Sequence, residues 1–188
     1  MLSFLAVKMA SELELYVFDE SYTEARRKAY RDLTTAGDYI QDYHILQTTK
    51  EEPLLRAIRN QMDAAGVPVE GTKGEWGPGQ EELNLVYAEA LPMADGHTLF
   101  KHGAKEIAMQ QGKAITFMAK WRTDLAGSSC HIHTSLWRGV NDNAFVDPGA
   151  ADGRSDTFRH FLAGQLALAR ELTFFLAPTI NADRKSVV

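Results

Sequence analysis

His131, His133 and Ser135 recur at a spacing of two within Cys130-His131-Ile132-His133-Thr134-Ser135, directly after Gly127-Ser128-Ser129. Side chains along a β-strand alternate between its two faces, so an extended chain aims all three the same way and turns Ile132 and Thr134 to the other, packed face. The feature therefore demands a sheet, and a sheet with one strongly polar face. Two imidazoles and a hydroxyl in a row suit a metal ion or a phosphate and make poor core material. A solvated sheet face is the plainer reading of a His-x-His taken alone, and the acidic residues elsewhere decide between the two.

Those acids also sit in strand-like segments. Ser11 to Phe18 alternates polar and apolar residues before turning aromatic, which predicts a strand with Glu12 and Glu14 on one face and Leu13 and Leu15 on the other. Two neighbouring carboxylates repel each other, and a divalent cation or basic neighbours would relieve them; an edge strand protected by charge is the alternative. Val67 to Glu70 begins a second extended run. It leads to Glu75-Trp76-Gly77-Pro78-Gly79-Gln80-Glu81-Glu82, where Gly-Pro-Gly marks a tight turn or bulge. A bent hairpin here brings Glu75 and Glu82 close together, with Glu82, Asn84 and Val86 sharing a face.

Helices are predicted from Glu20 to about Leu33, from Glu51 to Ala65, and from Ala94 to Gly112 with Phe100, Ala104, Ile107, Ala108 and Gln111 inward. A further helix is expected from Ser155, its N-cap, to Leu176, with Phe158, Phe161, Leu162, Gln165, Leu166, Ala169, Leu172 and Leu176 forming its face. Ala114 to Ala119 reads as a strand, and Trp121 to Ser129 and Arg138 to Ala151 as loops. With 45% hydrophobic residues, 188 residues suffice for one ordinary core or a large piece of a bigger domain. A net charge of −5 without a basic block argues against a nucleic-acid partner. The single cysteine excludes an intrachain disulfide. The apolar start is short and broken by Lys8, so neither signal peptide nor membrane span is expected, and the predicted location is cytoplasmic.

An oxygen-rich pocket with one or two imidazoles suits Mg²⁺ or Mn²⁺ better than zinc, and such ions bridge nucleotide phosphates. No Walker-type or Rossmann glycine motif is present, so a nucleotide would be held by metals on a sheet. Three motifs in order, Ser-Glu-Leu-Glu-Leu-Tyr-Val-Phe, Glu-x-x-Pro-Gly-Gln-x-Glu and Gly-Ser-Ser-x-His-x-His-x-Ser, resemble the catalytic domain of the glutamine synthetase family over nearly the whole chain. In detail the chain is most similar to bacterial glutamine-synthetase-like γ-glutamyl-amine ligases.

The resemblance implies an α+β fold, a mainly antiparallel curved sheet with helices packed on its outer face. It implies an ATP-dependent ligase that makes a γ-glutamyl amide from glutamate and ammonia or another amine through γ-glutamyl phosphate. Two Mg²⁺ or Mn²⁺ sites follow. By resemblance Glu14, Glu75 and Glu82 are ligands of the metal nearer glutamate, and Glu12 and His131 of the metal nearer the ATP phosphates. Glu70, His133 and Ser135 match nucleotide contacts, while Glu14, Gly127 and His131 match substrate contacts. No residue is assigned a nucleophilic role, and a homo-oligomer is expected.

Residues 1–188 are expected to form a partial catalytic domain, lacking the family's N-terminal β-grasp domain and the C-terminal part of the catalytic domain, and to be inactive in isolation. Asn181-Ala182-Asp183-Arg184-Lys185 replaces the family's Asn-Ser-Tyr-Lys-Arg, and Ala126 stands where the family usually has Asn. A non-catalytic relative and an unrelated metal-dependent hydrolase are the competing readings; nucleotide binding without turnover marks the first, turnover without ATP the second.

Overall fold

The computed structural model describes residues 5–182. The expected polar-faced strand is the centre of the molecule, and it is longer than the alternation predicts. Strand β1 runs Ala6–Phe18. Strands β2 (Val69–Gly74) and β3 (Gln80–Leu85) form a hairpin beside it. Strand β4 (Ala88–Glu89) and β5 (Ala114–Thr116) are short pieces on β1, and β6 (Cys130–Arg138) pairs along its N-terminal half. Strand β7 (Asp142–Asn143) closes the far edge, giving the order β2-β3-β1-β6-β7 with every pairing antiparallel. Far from being a charged edge, β1 is hydrogen-bonded on both sides.

Leu13, Leu15 and Val17 of β1 and Leu83 and Leu85 of β3 share one sheet face and are buried. Helices α2 (Ile45–Ala64) and α3 (Ala90–Gln110) cover that face. From α2 come Leu54, Leu55, Ile58 and Met62, and from α3 Phe100, Ala104, Ile107 and Ala108, all in one core cluster. The spacings of three and four place these residues on one stripe of each helix. Helix α2 begins six residues before the predicted start and takes Pro53 into its interior. Gln111 is exposed, and its Nε2–H donates to the Pro53 carbonyl oxygen at 3.4 Å.

Several elements are shorter than expected. The first helix, α1, is Tyr22–Arg27, closed at its start by a capping box between Ser21 and Glu24. Ala29, Tyr30 and Asp32 take positive φ beyond it, so a left-handed turn replaces the predicted continuation to Leu33. The strand expected to reach Ala119 ends at Thr116. The long C-terminal helix is two, α4 (Asp156–Ala167) and α5 (Ala169–Leu176), parted at Leu168, where φ is −104°. Ser155 caps α4, its Oγ accepting from the Phe158 amide at 3.2 Å. Neither helix buries a residue of its predicted face: Leu166 is 70% exposed and Leu176 71%. Phe145 packs on the rings of Phe158 and Phe161, and Leu172 and Leu176 line a cavity with Met9, Met93 and Ile132. Ile132, expected on a packed face, is likewise 46% exposed.

Candidate active site

Glu12 and Glu14 project from β1 on the face opposite Leu13 and Leu15. Register does the rest. Glu14 lies directly across from Glu82 of β3, and Glu12 lies between Asn84 of β3 and His131 of β6. The hairpin turn supplies Glu75: its amide donates to the Gln80 carbonyl at 2.8 Å, and the Gln80 amide to Gly77 at 3.0 Å. Gly79 takes φ +72°, and a Cβ there would press on Ala36 N and Val17 O at 3.0 Å. The turn therefore folds back over the sheet.

The outcome is three carboxylates, Glu14, Glu75 and Glu82, each with an oxygen within 4.8 Å of the others. Glu14 and Glu82 are buried and Glu75 half-buried. Among the described residues this is the one group of three or more acidic, histidine or cysteine side chains so converged. Burial pushes Glu82 up to about 7; Lys73 and the Asn84 amide oppose this, and the charges of Glu12 and Glu75 add to it. Lys73 reaches Glu75 at 2.6 Å and is raised by that carboxylate. An all-oxygen cluster of mutually repelling carboxylates fits a hard divalent cation such as Mg²⁺ or Mn²⁺.

Glu12 heads a second, looser set. Its Oε2 lies 2.8 Å from His133 Nε2 and 3.4 Å from His131 Nδ1. The His133 hydrogen bond holds Glu12 below the usual carboxylate range against the opposing effect of burial. Both imidazoles are exposed.

Cavities open beside Glu14 and Glu75 and beside His133. One of about 490 Å³ is walled by Glu14, Glu75, Trp76, Gln80, Lys120 and Gly127. The other, about 320 Å³, lies between Lys8, Glu70, Tyr87, His133 and Ser135. Glu70 reaches it because the β2–β3 register slips between Val69 and Gly71, leaving Glu70 in the irregularity. Lys8 Nζ stands 4.3 Å from the Trp137 ring centroid and 5.3 Å from that of Tyr87.

The residues singled out from sequence thus fall into four places, with His133 shared between two. Glu14, Glu75 and Glu82 converge; Glu12 gathers His131 and His133, standing nearer His133; Glu70, His133 and Ser135 share the smaller cavity, and Gly127 lines the larger. Asp183, Arg184 and Lys185 of the divergent C-terminal segment lie outside the described residues.

Sequence reasoning assigned nothing to Gln80, a buried residue that ties the site together. Its Nε2 lies 3.3 Å from Glu14 Oε2, 3.0 Å from the Gly127 carbonyl and 3.1 Å from Ser128 Oγ, while its Oε1 accepts from the Gly77 amide at 2.9 Å. Ser129 donates to Glu14 from both its amide, at 2.9 Å, and its hydroxyl. Tyr16, fully buried with its phenol raised by burial, donates to the Ala126 carbonyl at 2.8 Å. Trp121 packs edge-on against Tyr16 and Phe18. These contacts pin the 117–129 loop over Glu14. The one signal available for Gln80 was its alternation with Glu82 on the polar face of β3.

Comparison with known proteins gives this arrangement its context. The family model described as glutamine synthetase, catalytic domain, matches residues 3–186. A γ-glutamylethanolamide synthetase of Streptomyces coelicolor is 48% identical over 178 residues, covering 95% of this chain and 38% of that protein. A glutamate–isopropylamine ligase of a Pseudomonas species is 34% identical, covering 94% of the chain and 39% of the relative. Among solved structures, GmaS without ligand superposes with a TM-score of 0.83 at 28% identity, over 96% of this chain and 41% of that one. The curved antiparallel sheet with helices on one face is the architecture of these catalytic domains. By motif order, site geometry and family match, the chain belongs to the glutamine synthetase catalytic-domain family.

Proposed function

We propose that residues 1–188 are part of the catalytic domain of an ATP-dependent ligase that joins glutamate to ammonia or another amine as a γ-glutamyl amide. The observation that carries this reading is the convergence of Glu14, Glu75 and Glu82 within 4.8 Å. Two relatives support an amine acceptor, one named for its γ-glutamylethanolamide product and the other for joining glutamate to isopropylamine. A GmaS structure solved with ADP, at a TM-score of 0.82 and 29% identity, supports a nucleotide substrate.

In this proposal Glu14, Glu75 and Glu82 hold one divalent cation and Glu12 and His131 a second, with Mg²⁺ or Mn²⁺ as the ion. Bound there, such ions would supply charge neutralisation for the transferring phosphoryl group, where most of the catalysis of such transfers lies. Phosphoryl transfer from ATP to the γ-carboxylate of glutamate releases ADP and gives that carboxyl a good leaving group. The amine nitrogen then attacks the carbonyl carbon, phosphate departs and the nitrogen loses a proton. The chain's own groups bind and orient. Gly127 and Gln80 face the cavity that would take glutamate. Glu70, His133 and Ser135 face the one that would take the nucleotide, with Tyr87 offering a ring for stacking and Lys8 a cation for phosphate. Cytoplasmic location and assembly into a homo-oligomer belong to the same proposal; among the described residues no helix is long and apolar enough to cross a membrane.

The test has two levels. Calorimetric titration of this chain with Mn²⁺ should show binding that Glu14→Gln and Glu75→Gln each weaken at least about tenfold. The full-length ligase, given isotope-labelled glutamate, ATP, Mg²⁺ and ethanolamine, isopropylamine or ammonia, should yield a γ-glutamyl amide and one ADP per product. Absence of any ATP-dependent amide product with all three amines refutes the ligase reading.

A further inference from the structure

Beneath the carboxylate cluster, on the opposite face of the sheet, lies a buried polar pair that the proposed chemistry does not use. Glu81 occupies a β3 position whose same-face neighbours, Leu83 and Leu85, belong to the core. An apolar residue is the ordinary occupant of such a place. Glu81 is instead 0% exposed; its Oε1 accepts from Gln41 Nε2, and its Oε2 has no partner among the described residues. Burying a carboxyl on a single hydrogen bond is costly, and such groups persist where something else depends on them.

What depends on this one is the backbone of Glu75. Gln41, itself buried, donates its backbone N–H to the Glu75 carbonyl at 3.2 Å, and the backbone N–H of Asp42 donates to the same oxygen at 2.9 Å. The Gln41 carbonyl in turn accepts from the His44 amide at 3.1 Å. Packing leaves no slack: a Cβ on Gly74 would meet Thr48 Oγ1 at 2.5 Å and Gln41 Cβ and O at 2.7 Å. Gln41 therefore bridges the two arms, its backbone N–H holding the Glu75 carbonyl and its side chain reaching Glu81, the residue adjoining Glu82. The two arms of the hairpin that deliver these carboxylates are joined underneath by the Gln41–Glu81 hydrogen bond.

We infer that Gln41 and Glu81 are positioning residues that set the separation of Glu75 from Glu82, and thereby the affinity of the carboxylate cluster for a divalent cation. This rests on the metal-binding reading above. Partners behind metal ligands fix ligand orientation and typically contribute 10- to 100-fold in affinity. Glu81→Gln keeps an oxygen acceptor for the Gln41 amide, whereas Glu81→Leu and Gln41→Ala remove the bond.

The test measures Mn²⁺ affinity, using Mn²⁺ alone, together with amide hydrogen exchange of the metal-free chain across 74–80. Gln41→Ala and Glu81→Leu should each weaken Mn²⁺ binding at least about tenfold and speed exchange in 74–80 by a similar factor, while Glu81→Gln stays within about threefold of the parent in both. Ile58→Ala, a core change in α2 that leaves the Gln41–Glu81 bond in place, controls for general loss of stability and should leave Mn²⁺ affinity unchanged in the folded protein. Equal Mn²⁺ affinity and exchange in the parent and both bond-breaking variants overturns the inference, as does loss in Ile58→Ala as large as in Gln41→Ala. Should one bond-breaking variant fail to fold, the other carries the comparison. Failure of the parent to bind Mn²⁺ sinks the metal reading itself, and with it the affinity part of the inference; unchanged exchange in 74–80 then sinks the positioning part separately.

Discussion

Replacing Glu82 with Gln is expected to make the metal-free protein more stable and metal binding worse. The three clustered carboxylates have oxygens within 4.8 Å of one another. At an effective dielectric of about 20, each ionised pair at that separation repels by roughly 3–4 kcal/mol. Lys73 and Asn84 offset part of this repulsion, and proton linkage sets the size of the effect. Burial, with the charges of Glu12 and Glu75, lifts Glu82 from 4.5 to about 7 despite Lys73 and Asn84. A carboxyl raised on folding adds stability that is fully present below its unfolded value near 4.5 and is lost as pH rises through about 7. At pH 8 that loss is about 3 kcal/mol. Glu82→Gln keeps the shape without the charge, so the variant should match the parent at pH 4.5 and exceed it by about 3 kcal/mol at pH 8, about 6–12 °C in melting temperature. Added Mn²⁺ should raise the parent and leave the variant nearly unmoved. Urea unfolding at both pH values, with and without Mn²⁺, makes the comparison. A variant no more stable than the parent at pH 8, or one that Mn²⁺ stabilises as much as the parent, refutes the reasoning.

Other perturbations test the frame around the site. Leu55→Ala removes a fully buried side chain where α2 meets the sheet and should cost about 3–4 kcal/mol in urea unfolding. Tyr16→Phe leaves the Ala126 carbonyl without its 2.8 Å donor; a loss of about 1 kcal/mol and faster amide exchange at 126–129 are expected. Glu20 is held below the usual carboxylate range; burial pushes the other way but is outweighed by hydrogen bonds from Lys28 and the Thr34 amide. Its stabilisation is present above the unfolded pKa and disappears as pH falls through the lower folded one, so Glu20→Gln should lower stability at pH 7 and converge with the parent in acid.

Much of the site's arrangement was legible because period-two alternation is a local property. Glu12 with Glu14, and His131 with His133, share a face for reasons contained within a few residues. The hairpin that carries Glu75 toward Glu82 announces itself through Gly77-Pro78-Gly79. What stayed hidden depends on the rest of the molecule. Glu81 reads as one more surface acid until α2 and the Gln41 segment are seen to cover it. For Gln80 the alternation with Glu82 gives the face but not the role, since its partners come from β1, from its own turn and from the 117–129 loop. The periodicity of 155–176 continues unbroken through Leu168, yet the helix stops there and none of its apolar residues is fully buried. Periodicity reports which residues line up on a helix, but not what lies opposite them.

The placement of β1 has a consequence for how the molecule is made. It is synthesised before every strand it pairs with, and its hydrogen-bonding groups on both flanks wait for β3 on one side and β6 on the other. Until both arrive, a row of Leu13, Leu15 and Val17 stands open on the nascent chain, an invitation to stray intermolecular pairing. The repelling acids at Glu12 and Glu14 are interleaved with that row. Charges suited to holding an ion in the finished protein would thus also keep the unfinished one apart from its neighbours.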